Sequence, residues 1–415
     1  MDKTILKEIV INQNKTKENI NLVERDIYPQ IESYTNNPFI IIISGIRRCG
    51  KSTLLNQIKE KHQGYYLNFD DERLINFKLE DFQTLYEIFL EIFGKKRTFY
   101  FDEIQNVQGW ERFVRRLHDE KNKVYLTGSN ASMLSKELGT HLTGRYLEIS
   151  LYPFSFKEFL KLKEFKLEQK ETYILENKIK LKKHLDEYLI NGGLPEYLIT
   201  QNKDYLRTLY ESILYRDIMA RYGLQNEKTL KELIYFVANT IAKEISFNSI
   251  KKMLQIGSST TVKDYFNYFE NSFLIFLVTK FDYSLKRQIY FNKKAYLIDT
   301  GFAVNLGFRT SKDIGRLLEN LIFIELKRRN KDIYYYSENN ECDFIIKKDT
   351  KISEAIQVCY ELNEENRKRE IEGLLQAMNK FKLKNGLILT NEQSEEITIN
   401  NLKIKIMPVF RWLIE

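Results

Sequence analysis

The chain has 415 residues, 43% of them hydrophobic and 13% aromatic, with a formal net charge of +8. That length exceeds one ordinary core and implies roughly two to four domains, while the apolar content excludes global disorder. No apolar run approaches a membrane span, and the three cysteines Cys49, Cys342 and Cys359 lack both metal-ligand and disulfide spacing.

The N-terminus also lacks the basic-then-apolar layout of a secretory signal, so a cytoplasmic protein with no membrane partner is expected. The modest positive charge permits nucleic-acid contact without demanding it.

Residues 1–38 are expected to form an N-terminal helical segment. The run Phe39-Ile40-Ile41-Ile42-Ile43 is apolar and β-branched, as a fully buried parallel strand requires. Gly45-Ile46-Arg47-Arg48-Cys49-Gly50-Lys51-Ser52 then matches the pattern G-x-x-x-x-G-K-[ST], and the stretch from Thr53 to Ile58 has helical character. Strand, glycine loop and helix together make an anion cradle. Its backbone N–H groups, through Thr53, would hold phosphates, Lys51 would reach the terminal ones, and Ser52 would ligate Mg²⁺. A functionless glycine turn is the alternative, and the strand and helix around the loop argue against it.

Gly64 to Asp70 reads as a second strand and Phe82 to Phe93 as a helix, with Asp70-Asp71 as loop caps. Arg97-Thr98-Phe99-Tyr100-Phe101-Asp102-Glu103 is a β-rich run ending in two carboxylates. Asp102 would serve the Mg²⁺ shell and Glu103 would polarise an attacking water. Lys123 to Thr127 is a further strand, ending at Gly128-Ser129-Asn130. Ser129 or Asn130 is a candidate sensor of the terminal phosphate, since ligands of open α/β sheets bind at the carboxyl ends of the strands. A plain Gly-Ser-Asn turn is the alternative. Strands alternating with helices specify an α/β fold with a doubly wound parallel sheet, here a core over residues 39–155.

The segments GIRRCGKSTLL, YLNFDDERL, TFYFDEIQNVQGWERFVRRL, YLTGSNASML and LTGRYLEISLYPFSFKEFL occur in this order. Together they resemble a widespread prokaryotic family of predicted AAA-type ATPases with a C-terminal domain of unknown function. The resemblance covers nearly the whole chain. It implies an AAA-type P-loop core using ATP and Mg²⁺, and it places Arg145 where such proteins carry a basic residue near the nucleotide. Arg145 would then be an arginine finger, often supplied across a subunit boundary, or a structural ion-pair partner.

Residues 156–227 are expected to form a helical lid, with Lys161 to Lys183 as a solvated amphipathic helix or helix pair. Gly192-Gly193-Leu194-Pro195 resembles the Gly-x-Pro motif of nucleotide-binding lids, in which Pro195 would contact adenine; it also reads as a helix-breaking turn.

Over 228–300 the expected order is three helices, about 229–242, 246–254 and 258–269. A β-hairpin wing of Phe273 to Val278 and Gln288 to Phe291 would follow. That is a winged helix-turn-helix. Thr260, Thr261, Lys263 and Asp264 would begin its third helix, while Lys251, Lys252, Lys286, Arg287, Lys293 and Lys294 would flank it toward phosphates. Asp264, Glu270 and Asp282 dilute that patch, and winged helices also dock proteins.

Residues 301–415 begin with an amphipathic helix at Gly315. Strands at 333–336, 343–346 and 355–358, a helix at 363–381 and a strand at 386–389 follow. The layout resembles the restriction-endonuclease-like α/β core, whose acidic motif binds Mg²⁺; Glu319 and Asp343 match its first two positions. Where Glu-x-Lys is expected stands Gln357-Val358-Cys359. A neutral amide is a weaker ligand for a hard cation, and a thiol cannot replace an ammonium. Strand alternation places Glu354 on the opposite face, so this domain is expected to be inactive.

The resulting expectation is an ATP-hydrolysing switch or remodeller of a protein partner, with ATP-dependent oligomerisation. Two alternatives stand beside it. One is an ATP-regulated, DNA-binding effector or nuclease, and the other is a regulator that binds ATP and hardly turns it over.

Overall fold

Five parallel strands run side by side in the order β2-β3-β4-β1-β5: β1 (Ile40–Ser44), β2 (Tyr65–Asn68), β3 (Thr98–Asp102), β4 (Lys123–Gly128) and β5 (Tyr146–Ser150). The computed structural model describes residues 1–15, 23–129, 142–165, 173–307 and 314–415. It divides into two units, Met1–Leu151 and Tyr152–Glu415. All five residues of β1 are buried, which is why that strand is a continuous apolar run rather than an alternating one.

The helices of the first unit are α1 (Lys3–Asn14), α2 (Tyr28–Ser33), α3 (Lys51–Lys61), α4 (Asp81–Phe93) and α5 (Trp110–Asp119). Asp2 caps α1 by accepting from the N–H groups of Thr4 and Ile5. Leu6, Ile9 and Val10, spaced along one face of α1, enter the same core as Tyr65, Phe82, Leu85 and Phe89. Within it Tyr65 stacks on Phe89 with ring centroids 4.7 Å apart, and Phe82 on Phe113 at 4.5 Å. Asp71 caps a short turn of 3-10 helix and pairs with Arg73 at 2.7 Å, the loop-capping role expected of it.

The second unit opens with α6 (Phe156–Leu162), which starts on a capping box of Ser155 and Glu158. It continues with α7 (Leu175–Asn191), α8 (Pro195–Thr200) and α9 (Lys203–Ser212), the last running on in π geometry through Ala220. The turn at 192–195 is built around Asp299. That carboxylate accepts from the N–H groups of Gly193 and Gly301 at 2.7 and 2.8 Å. Gly192 has φ +73°, and a Cβ there would meet the Asp299 carboxylate at 2.0 Å. Pro195 is the first residue of α8, where its missing N–H is no loss.

Burial pushes the Asp299 carboxyl up to about 6, against the pull of its backbone hydrogen bonds. Between its unfolded value of 3.8 and about 6 the folded state holds the extra proton, so stability falls as pH rises through that window. That two-unit interval corresponds to about 3 kcal/mol. Denaturation midpoints of the second unit followed from pH 3.5 to 7 should fall more steeply for the natural protein than for Asp299→Asn. Parallel slopes would refute the assignment.

Next comes a module of α10 (Glu227–Asn239), β6 (Glu244–Ile245), α11 (Phe247–Met253), α12 (Ser259–Asn271), β7 (Ile275–Thr279), α13 (Leu285–Tyr290) and β8 (Lys293–Leu297). Its three strands lie in the order β6-β8-β7, with Ile275 opposite Leu297 and Thr279 opposite Lys293. The second hairpin strand was expected at 288–291. It lies at 293–297 instead, and Leu285–Tyr290 is helical. The residues Leu-Lys-Arg-Gln there are good helix formers without alternation. The strand signal sits in Lys293-Lys294-Ala295-Tyr296-Leu297, where a lysine occupies an inward position and disguises it.

Helices α14 (Thr300–Leu306) and α15 (Ile314–Arg328) lead into a mixed sheet ordered β13-β14-β12-β11-β10-β9. Its strands are β9 (Asp332–Ser337), β10 (Glu341–Lys348), β11 (Lys351–Val358), β12 (Asn385–Thr390), β13 (Glu395–Ile399) and β14 (Leu402–Pro408). Helix α16 (Arg367–Phe381) precedes β12, and α17 (Val409–Ile414) follows β14. The expected order ended at β12, and the hairpin β13–β14 extends it. Its turn, Asn400-Asn401, has φ of +49° and +65°, as a tight hairpin demands. Among the described residues, no helix is long and apolar enough to cross a membrane.

Candidate functional site

Because β1, β3 and β4 are parallel, their carboxyl ends meet at one edge, with β4 between the other two. The loop leaving β1 carries the glycine pattern, and β3 ends in the acidic pair. Gly50 caps α3 at φ +99°, so Lys51, Ser52 and Thr53 form its first turn with no side-chain cap. First-turn N–H groups have no acceptor inside their own helix, which makes this end a cradle for an anion.

Lys51 is buried, and its ammonium donates to the carbonyls of Gly45 and Ile46, each at 3.0 Å. Glu103 Oε1 lies 3.8 Å away. Ser52, in the first turn of the helix, is near enough to Asp102 for its hydroxyl to pull that carboxyl downward, so the two residues expected to serve Mg²⁺ are neighbours. This hard-oxygen pair beside a helix N-terminus and a lysine fits Mg²⁺ with phosphates.

Asp102 is fully buried. Burial, with the Glu103 charge beside it, raises its carboxyl above the usual range despite hydrogen bonds from Ser52 and Thr127. Its oxygens also meet the hydroxyls of Thr127 and Tyr66, the latter at 3.1 Å. Glu103 has left-handed backbone geometry, φ +51°, uncommon outside glycine. Burial works against its charge, but Lys51, Gln105 and Arg47 prevail and hold its carboxyl below the usual range. The Thr127 hydroxyl accepts from the Glu103 N–H at 2.9 Å, and Gln105 Nε2 donates to Glu103 Oε2 at 2.5 Å. Thr127, Tyr66 and Gln105 were not singled out from the sequence. Thr127 had a signal, being a polar residue one position short of a strand end.

Arg25 was also missed, in a segment read as merely helical. It is buried, and its guanidinium donates to the Cys49 carbonyl at 2.8 Å. It thereby ties the loop down at Cys49. Arg25→Ala should raise the ATP KM about tenfold, the loss of one charged hydrogen bond, with kcat nearly unchanged. A fall in kcat at constant KM would contradict this positioning role.

Of the remaining expected residues, Arg47 and Arg48 lie on the loop, Arg48 with φ +66°, and Cys49 is a buried free thiol. Ser129 is buried at the end of β4. Asn130 lies outside the described residues. Arg145 immediately precedes β5, where its carbonyl accepts from the N–H of Ile40, and its Nε stands 3.6 Å from Asp119 Oδ1. That is the amino end of the sheet, roughly 13 Å of strand away from the glycine loop. Within one chain, Arg145 is thus an ion-pair partner remote from the cradle. Pro195 belongs to the second unit.

In the second unit, Glu319 and Asp343 do converge, joined by a lysine expected elsewhere. Lys294 was expected to face phosphates, but it is buried against these two carboxylates. The Lys293 ammonium is occupied by Thr279 Oγ1 at 3.0 Å and the Gln288 carbonyl at 2.8 Å. Strand β8 is buried continuously from Lys294 through Leu297, and that takes Lys294 from the surface. Glu354 pairs with Lys331 at 2.6 Å, away from the cluster as expected.

Residues 37–160 match the model of the AAA domain family, and residues 182–313 match a family described as a domain of unknown function. An uncharacterized protein of Methanocaldococcus jannaschii, MJ1544, is 38% identical over 99% of this chain and 96% of its own length. An uncharacterized protein of Haemophilus influenzae is 31% identical over 95% of this chain and 99% of its own. Among solved structures, AMPPCP-bound DnaA from Aquifex aeolicus is similar at a TM-score of 0.25 and 17% identity, covering 63% of this chain and 91% of that one. CDC6P from Pyrobaculum aerophilum is similar at 0.27 and 12%, covering 67% and 91%.

Proposed function

The chain belongs to one family with these archaeal and bacterial relatives, an AAA-domain family, and on that premise we propose that it binds and hydrolyses Mg-ATP to switch or remodel a partner. The observation that carries the reading is Lys51, buried at the mouth of an uncapped helix with Glu103 Oε1 3.8 Å away and Asp102 buried at the end of the strand that Glu103 follows. The metal would supply charge neutralisation between phosphate oxygens. The residues present do the rest. The α3 N–H groups and Lys51 hold phosphate, Ser52 and Asp102 hold Mg²⁺, and Glu103 takes the proton of the attacking water. Ser129 or Asn130 would sense the terminal phosphate, and Pro195 would touch adenine. Arg145, remote from its own cradle, would serve a neighbouring subunit's site. The same reading places the protein in the cytoplasm.

A second reading rests on the 227–297 module. Its order of helix, strand, two helices, strand, short helix and strand resembles a winged helix with a helical turn within the wing, which supports that reading. Tyr283, Leu285, Ile289 and Tyr290 are 65–79% exposed beside Lys286 and Arg287, which supports a docking surface for DNA or protein. Phosphate release and solution mass, each measured with and without duplex DNA and ATP, test both readings. Release that EDTA does not abolish would overturn the first. The second fails if duplex DNA neither binds nor changes turnover.

A further inference from the structure

The second unit contains a cleft of about 740 Å³ whose floor includes Glu319, Glu341, Asp343, Gln357 and Glu370. A restriction-endonuclease-like resemblance implies a divalent cation here, held by Asp343, its partner acid and the strand that follows. The residues present do not fit that ion. Gln357 has both amide ends engaged: its oxygen accepts from the Asp343 N–H at 3.2 Å, and its nitrogen donates to Glu370 Oε2 at 2.7 Å. Asp343 Oδ2 accepts from the Val358 N–H at 2.9 Å, and Glu370 Oε1 is held by Arg369 at 2.5 Å.

The carboxylate oxygens that remain converge on one point, and a cation of the chain's own stands there. Lys294 Nζ lies 2.6 Å from Glu341 Oε1, 3.0 Å from Glu319 Oε1 and 3.2 Å from Asp343 Oδ1. Its side chain is 1% exposed. Tyr296 donates to the same Glu319 oxygen at 2.7 Å, fixing that carboxylate toward the ammonium. Among the described residues, no group of three or more acidic, histidine or cysteine side chains is arranged to take a metal ion. Three carboxylate oxygens nevertheless gather within 3.2 Å of one ammonium, and a divalent ion could not share their centre with a fixed positive charge.

We propose that Lys294 is a tethered cation filling the divalent-cation position of this cleft, so that the cleft takes no metal while that side chain is seated. The lysine comes from β8 and the carboxylates from α15 and β10, so the ion cluster also pins the three-stranded module to the mixed sheet. Where the resemblance expects Glu and Lys the chain has Gln357 and Cys359, and the positive charge comes instead from Lys294. The vacated cation position is neutralised from outside the domain rather than left as a bare acidic pocket.

The test is Mn²⁺ binding to the nucleotide-free full chain, read as loss of the free-ion signal in electron paramagnetic resonance. Lys294→Met should bind one Mn²⁺ at least about tenfold tighter than the natural protein, and adding Asp343→Asn should remove that gain. If Lys294→Met or the smaller Lys294→Ser is unfolded alone, Mn²⁺ should restore its helical circular dichroism. The proposal is overturned if the folded variants bind no more Mn²⁺ than the natural protein, or if Mn²⁺ fails to refold unfolded ones. It is equally overturned if the natural protein already binds an equivalent that Asp343→Asn abolishes.

Discussion

Replacing Glu103 by Gln should slow ATP turnover by roughly 10²- to 10⁴-fold, the range ascribed to a positioned general base, while ATP affinity stays within about threefold. The substitution keeps the side chain's shape and removes its charge. Lys51 Nζ is 3.8 Å from Glu103 Oε1 and Gln105 Nε2 is 2.5 Å from Oε2, so this carboxylate is held ionised and ready to accept a proton. An amide at 103 accepts a hydrogen bond from Gln105 but cannot take a proton from water. Binding should persist because on the proposed reading the phosphate contacts would come from α3 and Lys51, and the metal contacts from Ser52 and Asp102, none of which the substitution alters. Phosphate release from both proteins at saturating ATP decides the matter. Equal rates would mean that Glu103 is not the base and that the regulator with little turnover is the better reading.

The ATPase core was legible because its signals are local and redundant. A buried strand, a glycine loop and a helix start follow one another within Ile40 to Ile58, and each fixes the meaning of the next. Asp102 and Glu103 were legible for the same reason, as the polar end of an apolar strand. The hydrogen bonds that hold their carboxylates come from three other segments: Thr127 from β4, Tyr66 from β2 and Gln105 from the following turn. Sheet order decides which strands are neighbours, and no periodicity in one strand reports it.

The C-terminal cleft shows the opposite case. Two of its acids, Glu319 and Asp343, were identified, but Lys294 was assigned to the surface because a lysine flanking an expected hairpin reads as solvated. Its burial follows from three carboxylates at separations of 25 to 49 residues in sequence, a condition local patterning cannot express. Arg145 illustrates a milder limit. Its motif named a basic residue near a nucleotide, and the parallel register of β1 and β5 sets it at the far edge of its own sheet.

Gly45→Ala should damage the same site by a different physical route, and the comparison with Glu103→Gln separates structure from chemistry. A Cβ at 45 would stand 2.2 Å from the Leu151 carbonyl oxygen and 3.1 Å from Cys49 Sγ. The first of these is backbone, held in place because the Leu151 N–H donates to the Ser44 carbonyl at 2.7 Å. The loop must therefore move rather than the obstacle, at a cost of about 3 kcal/mol in the stability of the first unit. A displacement of about 1 Å in the cradle is enough to lower catalytic efficiency by about 10²-fold, and here ATP affinity should fall with it. Gly50→Ala supplies the contrast. Its Cβ would meet a side-chain atom, Arg25 Nη1, at 3.2 Å rather than backbone, so the penalty stays at about 1–2 kcal/mol for a left-handed backbone at φ +99°. Thermal melts with and without Mg-ATP should rank Gly45→Ala well below Gly50→Ala, with nucleotide stabilisation lost in the former. Glu103→Gln should melt close to the natural protein and keep its nucleotide stabilisation. If Gly45→Ala retains both stability and ATP binding, the close approach of the loop to Leu151 is not what shapes the cradle.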